Sequence, residues 1–151
     1  MKILFLDVDG VINSEETFRV NGHARFPIDA YMAFLVGKIQ LDTDCKVVLS
    51  SSWRHHSESV EYIHNRIVNI YDTTGSEPLD LDRPSGVENC QRGREIKAWM
   101  ESQKYKIDKY AILDDDSDML PEQLPNFFQT SWKIGLTDEI TEKIIKHLNE
   151  V

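Results

Sequence analysis

Cysteine is scarce in this 151-residue chain: Cys45 and Cys90 are the two present, far apart and outside any Cys-x-x-Cys or Cys/His spacing. That excludes a zinc knuckle and a disulfide framework and predicts a reduced, cytoplasmic setting. No apolar run reaches membrane length, and no basic segment precedes the first strand pattern, so neither a membrane partner nor a targeting signal is expected. Basic residues are few, 17 Lys and Arg against 26 Asp and Glu, for a net charge of −9. This argues against a broad nucleic-acid-binding face, while a local basic patch can still hold a few phosphates or a strand end. Internal repeats are absent. The length fits one domain, residues 1–151, able to bury roughly two-thirds of its unfolded surface without staples.

Apolar blocks alternate with helical periodicities, the pattern of an α/β fold with a doubly wound, mainly parallel sheet in three layers. Strands are expected at Ile3 to Leu6, Cys45 to Leu49, Tyr110 to Leu113 and, more weakly, near Val68 to Tyr71 and Asn126 to Thr130. Helical stripes run from about Asp29 to Gln40, with Asp29 as N-cap, and from Ser57 to Val68, Arg92 to Gln103 and Thr137 onward. Asn13 to Phe26 reads as a polar stretch too short for a cap domain. Thr73 to Gln91, with Gly75, Pro78, Pro84 and Gly86, reads as a long loop, at most a small lid.

The chemistry sits where apolar strands end. Lys2-Ile-Leu-Phe-Leu-Asp7-Val-Asp9-Gly10 drives a buried strand into two carboxylates and a glycine that permits a sharp turn. An EF-hand loop also begins Asp-x-Asp, but follows a helix and carries its glycine at position six. The second strand ends in Ser50 and the fourth in Asp114-Asp115, and a parallel sheet brings those ends to one edge. Carboxylates converging there repel unless a hard cation neutralises them, so Mg²⁺ is expected, with Asp7, Asp9, Asp114 and Asp115 as its ligands. Asp7 suits a nucleophile toward phosphorus, and Asp9 an acid for the leaving oxygen and then a base for water. Ser50 and Arg92 suit the phosphoryl oxygens, with Ser51, Arg54 and Arg94 as further substrate contacts.

This ordered set resembles the phosphatase branch of the haloacid dehalogenase superfamily. Its first motif stands here as Asp7-Val8-Asp9-Gly10, its second as Ser50, its third as Arg92 or Arg94, and its fourth as Asp114-Asp115. The third motif is usually a lysine. Lys97 lies too far into its helix, and the spacing does not separate the two arginines. Leu-Ser-Ser-Ser-Trp-Arg, Arg-Gly-Arg-Glu-Ile-Lys-Ala-Trp and Gly135-Leu-Thr137 are similar to small, minimally capped phosphatase modules of nucleic-acid repair proteins, in outline the 3′-phosphatase domain of polynucleotide kinases. No kinase Gly-x-x-x-x-Gly-Lys-Ser/Thr loop is present. The resemblance implies a Mg²⁺-dependent phosphomonoester hydrolase with an open site, suited to a phosphate on a polynucleotide end. A small-molecule or mononucleotide phosphatase is the alternative. A phosphoacceptor receiver module is a more distant one, because its acids come in the opposite order along the chain.

Other polar residues have plainer readings. Asp116 and Asp118 are expected as exposed loop acids, Asp42 and Asp44 as turn acids at the far end of the sheet. Ser51 and Ser52 suit helix caps as well as phosphate contacts. Trp53 reads as packing, and Arg54 as either a phosphate contact or a surface ion pair. His55 and His56, adjacent and divergent, make a poor metal pair; His64 reads as half-buried. Cys45 reads as a core thiol and Cys90 as a loop thiol.

Overall fold

Five short strands form one sheet in the order β3-β2-β1-β4-β5, every neighbouring pair parallel, in a computed structural model that describes residues 1–86 and 88–151. The strands are β1 (Lys2–Leu6), β2 (Lys46–Leu49), β3 (Ile70–Thr73), β4 (Lys109–Asp114) and β5 (Phe127–Gln129). The helices are α1 (Glu15–Asn21), α2 (Ala30–Thr43), α3 (Ser57–Arg66), α4 (Gln91–Ser102) and α5 (Asp138–Asn149). Among the described residues, no helix is long and apolar enough to cross a membrane.

The central strand explains the layers. Ile3, Leu4, Phe5 and Leu6 are all fully buried, which requires cover on both faces. Leu4 and Leu6, with Val47, Leu49 and Leu113, pack under Leu35 and Ile39 of α2, Ile63 of α3 and Ile144 and Leu148 of α5. Ile3 and Phe5, with Val48 and Ile112, pack under Ile96 and Trp99 of α4, where Phe5 meets the Trp99 ring edge-on at 5.4 Å. Side chains alternate along a strand, so the residue after Leu6 returns to the α4 side. Leu6 lies opposite both Leu49 and Leu113. Asp7, Ser50 and Asp114, one step further on each strand, therefore form a row that looks toward α4.

Differences from the expected elements have local causes. The stretch from Asn13 contains α1, started by a capping box in which Ser14 and Thr17 bond each other's backbone. Asp29 caps α2 as expected, accepting from the Tyr31 and Met32 amides at 2.9 Å each. That helix runs past Gln40 to Thr43 and ends on Asp44 in the left-handed region, φ 54. β3 begins at Ile70 rather than Val68, because Val68 is spent as a buried core residue between helix and strand. No helix or strand occupies the described part of 74–90, in keeping with the expected loop; Val87 of that loop lies outside the described residues.

Candidate active site

The turn after β1 is tied down on every side. Gly10 takes φ +80, and a Cβ there would fall 2.4 Å from Asp115 Oδ2, so glycine is required both by conformation and by the packed carboxylate. Thr130 Oγ1 donates to the Gly10 carbonyl at 2.6 Å. Asn13, fully buried, accepts from the Gly10 amide at 2.8 Å and donates to Asp9 Oδ1 at 2.9 Å and to the Pro27 carbonyl at 3.1 Å. Trp53 Nε1 donates to the other Asp9 oxygen at 3.1 Å. The Asp9 carboxylate is thus aimed by two donors that sequence reasoning passed over. Nothing in the sequence marks Asn13 as buried, so the first left no signal there, and Trp53 reads from the sequence as a packing residue.

Carboxylate oxygens of Asp7, Asp114 and Asp115 lie within 4.8 Å of one another. The Asp9 side chain, expected as a fourth ligand, is not in this cluster; its bonds to Asn13 and Trp53 turn it aside. Burial raises the Asp7 carboxyl to about 7 against the pull of Arg92, and burial with repulsion from Asp7 raises Asp114 to about 8. Asp115 is raised as well, chiefly by burial. Among the described residues Asp114 Oδ2 accepts no hydrogen bond, although Arg92 Nε faces it at 3.6 Å. A buried acceptor left open beside two more carboxylates fits a hard divalent cation with oxygen ligands, and Mg²⁺ suits that donor set.

Ser50 is fully buried, its amide bonded to the Leu6 carbonyl at 2.9 Å and its Oγ without a partner among the described residues. Ser51 caps the 3₁₀ turn Ser52–His55 by accepting from Trp53 N at 3.2 Å, and its side chain works against the upward shift of the Asp7 carboxyl. Ser52 is exposed and lines the cavity.

Glu95, 4% exposed, separates the arginines that the sequence left level. It pairs with Arg54 Nη2 at 3.0 Å and Arg92 Nη1 at 3.2 Å, holding both guanidinium groups at the cavity. Arg54 also donates to the Ser51 carbonyl at 2.8 Å, and burial pulls its pKa down. It is a buried network member, correcting the reading as a surface ion pair. Arg94 points elsewhere: it donates to the Pro78 and Asn89 carbonyls at 2.7 and 3.2 Å and to Asn89 Oδ1 at 3.0 Å, fastening the long loop. Arg94, expected as a substrate contact, thus faces away from the cavity wall that Arg92 lines, since two steps along a helix rotate the side chain by about 200°. Lys97 pairs with Glu122 on the surface.

Asp118 differs from its expected exposed role. Half-buried, it accepts from the Arg92 amide at 3.0 Å and so caps α4, whose preceding residue Cys90 offers no side-chain cap. Gly93 completes that junction: a Cβ there would lie 2.6 Å from Leu120 N and Gln123 Oε1, so only glycine lets α4 meet the loop after β4. Asp116 is exposed, as expected, at the cavity rim. His55 and His56 are exposed, and His64, exposed rather than half-buried, accepts from the Ile70 amide at 3.1 Å.

Asp7, Asp9, Arg54, Arg92, Glu95 and Asp114 share the wall of one cavity of about 420 Å³ at the carboxyl edge of the sheet. The order of these groups along the chain is the one that resembled the haloacid dehalogenase phosphatases. No curated protein and no solved structure gives a significant match to the chain. A family model does, the HAD domain in Swiss Army Knife RNA repair proteins, over residues 3–140. That span takes in every strand but for the first residue of β1, together with every group at the cavity, and the chain belongs to this family of HAD domains.

Proposed function

We propose that this HAD domain is a Mg²⁺-dependent phosphomonoester hydrolase that works through a phosphoaspartate on Asp7 and acts on the phosphate-bearing ends of polynucleotides. The observation that carries the reading is the row Asp7, Ser50 and Asp114 on three adjacent parallel strands, with Arg92 opposite and the oxygens of Asp7, Asp114 and Asp115 within 4.8 Å.

Asp7, Asp114 and Asp115 would hold the cation. Bound there, Mg²⁺ supplies positive charge that lets the buried carboxylates ionise together and draws negative charge from a phosphoryl group. An Asp7 oxygen forms a bond to phosphorus as the ester oxygen leaves, and that oxygen takes its proton from Asp9. Asp9 then receives a proton from water, whose oxygen bonds to phosphorus and frees Asp7 and inorganic phosphate. Ser50 Oγ, buried and without a partner among the described residues, is a donor free for a phosphoryl oxygen, and Arg92 is a second. Glu95 touches no substrate in this scheme; it fixes Arg92 and Arg54.

The family's RNA-repair context supports a nucleic-acid end as substrate, and the absence of a cap-sized insertion after β1 supports an open site. A second reading, a mononucleotide or metabolite phosphatase, is favoured by the net charge of −9, which repels long polyanions. Phosphate release with and without Mg²⁺ decides between them, measured on a 3′-phosphorylated oligoribonucleotide, its 5′-phosphorylated counterpart, free mononucleotides and an aryl phosphate. Turnover of an oligonucleotide end above the small substrates is expected. Turnover of small substrates alone selects the second reading, and no Mg²⁺-dependent release from any of them overturns the hydrolase.

A further inference from the structure

Beside the acidic cavity lies a second cleft, of about 500 Å³, that shares Asp9, Ser52 and His55 with it and is otherwise different in character. Its walls include Phe18, Phe26, Pro27 and Trp53. Phe26 stands 5.9 Å from the Trp53 ring and stacks on Tyr62 at 4.5 Å, while Phe18 packs on Trp132 at 5.1 Å. Arg25 lies over the Phe26 ring at 5.4 Å, paired with Glu58, and His55 and His56 stand exposed at the rim. In a chain of net charge −9 this is a local gathering of aromatic and basic groups.

The cleft opens on the side of Asp9, and that position gives it a meaning. If Asp9 hands its proton to the leaving oxygen, the leaving group has to extend from the acidic cavity past Asp9. The wall met there is Trp53, whose Nε1 holds Asp9 Oδ2. A group that is planar, aromatic and joined to further negative charge matches rings lined by arginine and histidine. We propose that this cleft is the seat of the terminal nucleoside of a single-stranded nucleic acid, its base stacked against Phe26 and Trp53 and the next phosphate directed to Arg25. The proposal rests on the phosphatase reading for its orientation and deepens it, because it assigns base-dependent recognition to residues outside the acidic site.

Paired oligonucleotides test it, each ending in the phosphate, one with a base on the terminal sugar and one abasic there, in 3′ and 5′ versions. For the protein as it stands, kcat/KM for the base-bearing end is expected to exceed that for the abasic end by about 5- to 100-fold, the range that stacking of one base supplies. In Phe26→Ala that ratio is expected to collapse toward one, and the conservative Phe26→Tyr to keep it. A ratio near one in the unaltered protein, or a ratio unchanged in Phe26→Ala, overturns the proposal. Equal losses on both substrates also overturn it, since they mark Phe26 as merely structural. The same pairs are titrated against Asp7→Asn by quenching of tryptophan fluorescence, which needs no turnover. If no substrate is hydrolysed yet the base-bearing end binds more tightly and Phe26→Ala removes the difference, the phosphatase reading fails and the cleft stands. Equal binding of both ends overturns the cleft whatever the activity.

Discussion

At the amino edge of the sheet Asp42 is exposed and pairs with Lys38, Asp44 closes α2 in a left-handed turn, and Asp108 is exposed and faces Lys106 at 3.6 Å. At the carboxyl edge Asp7 and Asp114 are 7% and 2% exposed, raised by burial and set against each other. The side chain is the same and the sheet is the same. Acids that only end strands and helices stay in water with partners at hand, whereas the carboxyl-edge acids are held dry, close together and incompletely bonded. Such an arrangement costs stability in the free protein and makes sense when a cation and a phosphoryl group complete it.

The sharpest way to break the contrast is Asp7→Asn. Loss of turnover by about 10⁴-fold or more is expected, as for removal of a nucleophile, together with an unchanged or raised melting temperature because one buried charge is gone. Steady-state kinetics and a thermal melt on the same sample check both halves, and a variant that is inactive because it is unfolded fails the second. Asp9→Asn removes proton transfer alone, for a loss of about 10²- to 10⁴-fold. It is expected to be milder on substrates whose leaving group needs no proton, such as a nitrophenyl phosphate, than on an alkyl phosphate. Equal losses on the two would count against the acid role.

Glu95→Gln tests the cations that face the acids. Breaking a buried ion pair by removing one partner costs about 3–5 kcal/mol, and Glu95 serves two guanidinium groups at once. Denaturant unfolding is expected to fall by an amount in that range, with a loss of roughly 10- to 100-fold in kcat/KM as Arg92 and Arg54 lose their anchor. Arg94→Ala, which removes the bonds to Pro78 and Asn89 of the long loop, is expected to leave kcat near its original value.

Much of this contrast was legible in the chain and part of it was not. Asp7, Ser50 and Asp114 were readable because each follows an apolar run, and a parallel sheet turns three strand ends into one place. The N-cap Asp29 and the loop after β3 were readable from local chemistry. Glu95 and Asn13 were hidden, since a buried polar residue looks like any surface one until its partners, distant or across a turn, are known. Arg92 and Arg94 were inseparable for the same reason: the helical rotation that parts them has no reference until Glu95 and Asp114 mark the inner face. The helix at Glu15–Asn21 has its start written in Ser14 and Thr17, which form a capping box, but its seven residues carry no apolar stripe by which a helix is legible. Asp118 shows the opposite error, an acid counted as solvated that caps α4 from across the sheet edge.

The stored repulsion has a pH signature of smaller size. Asp7 and Asp114 have folded pKa values of about 7 and about 8 against an ordinary 3.8, so between pH 4 and pH 8 the folded state binds more protons than the unfolded one. Stability of the metal-free protein then falls as pH rises through that window, and the loss is complete only above about pH 8. A melting temperature several degrees lower at pH 8 than at pH 5 is expected in a chelator. Saturating Mg²⁺ should raise it most at pH 8, where both carboxylates are free to bind. A flat profile in the chelator would sink the idea that burial holds these protons.

The least effect belongs to the amino edge and completes the contrast. Asp42 is an acid beside the same sheet, paired with Lys38, yet the pair lies at the surface, where water already solvates both charges and salt screens them. Asp42→Asn should therefore leave the melting temperature within about 1 °C at pH 5 and at pH 8 alike, with or without Mg²⁺, and leave turnover unchanged. The informative quantity is the difference between the two edges measured in one series: if Asp42→Asn moved the pH profile as Asp114→Asn does, the profile would report the net acidity of the chain rather than three carboxylates crowded at one end of β1 and β4. A response confined to the carboxyl edge ties the cost to the place where the cation and the phosphate are expected to bind.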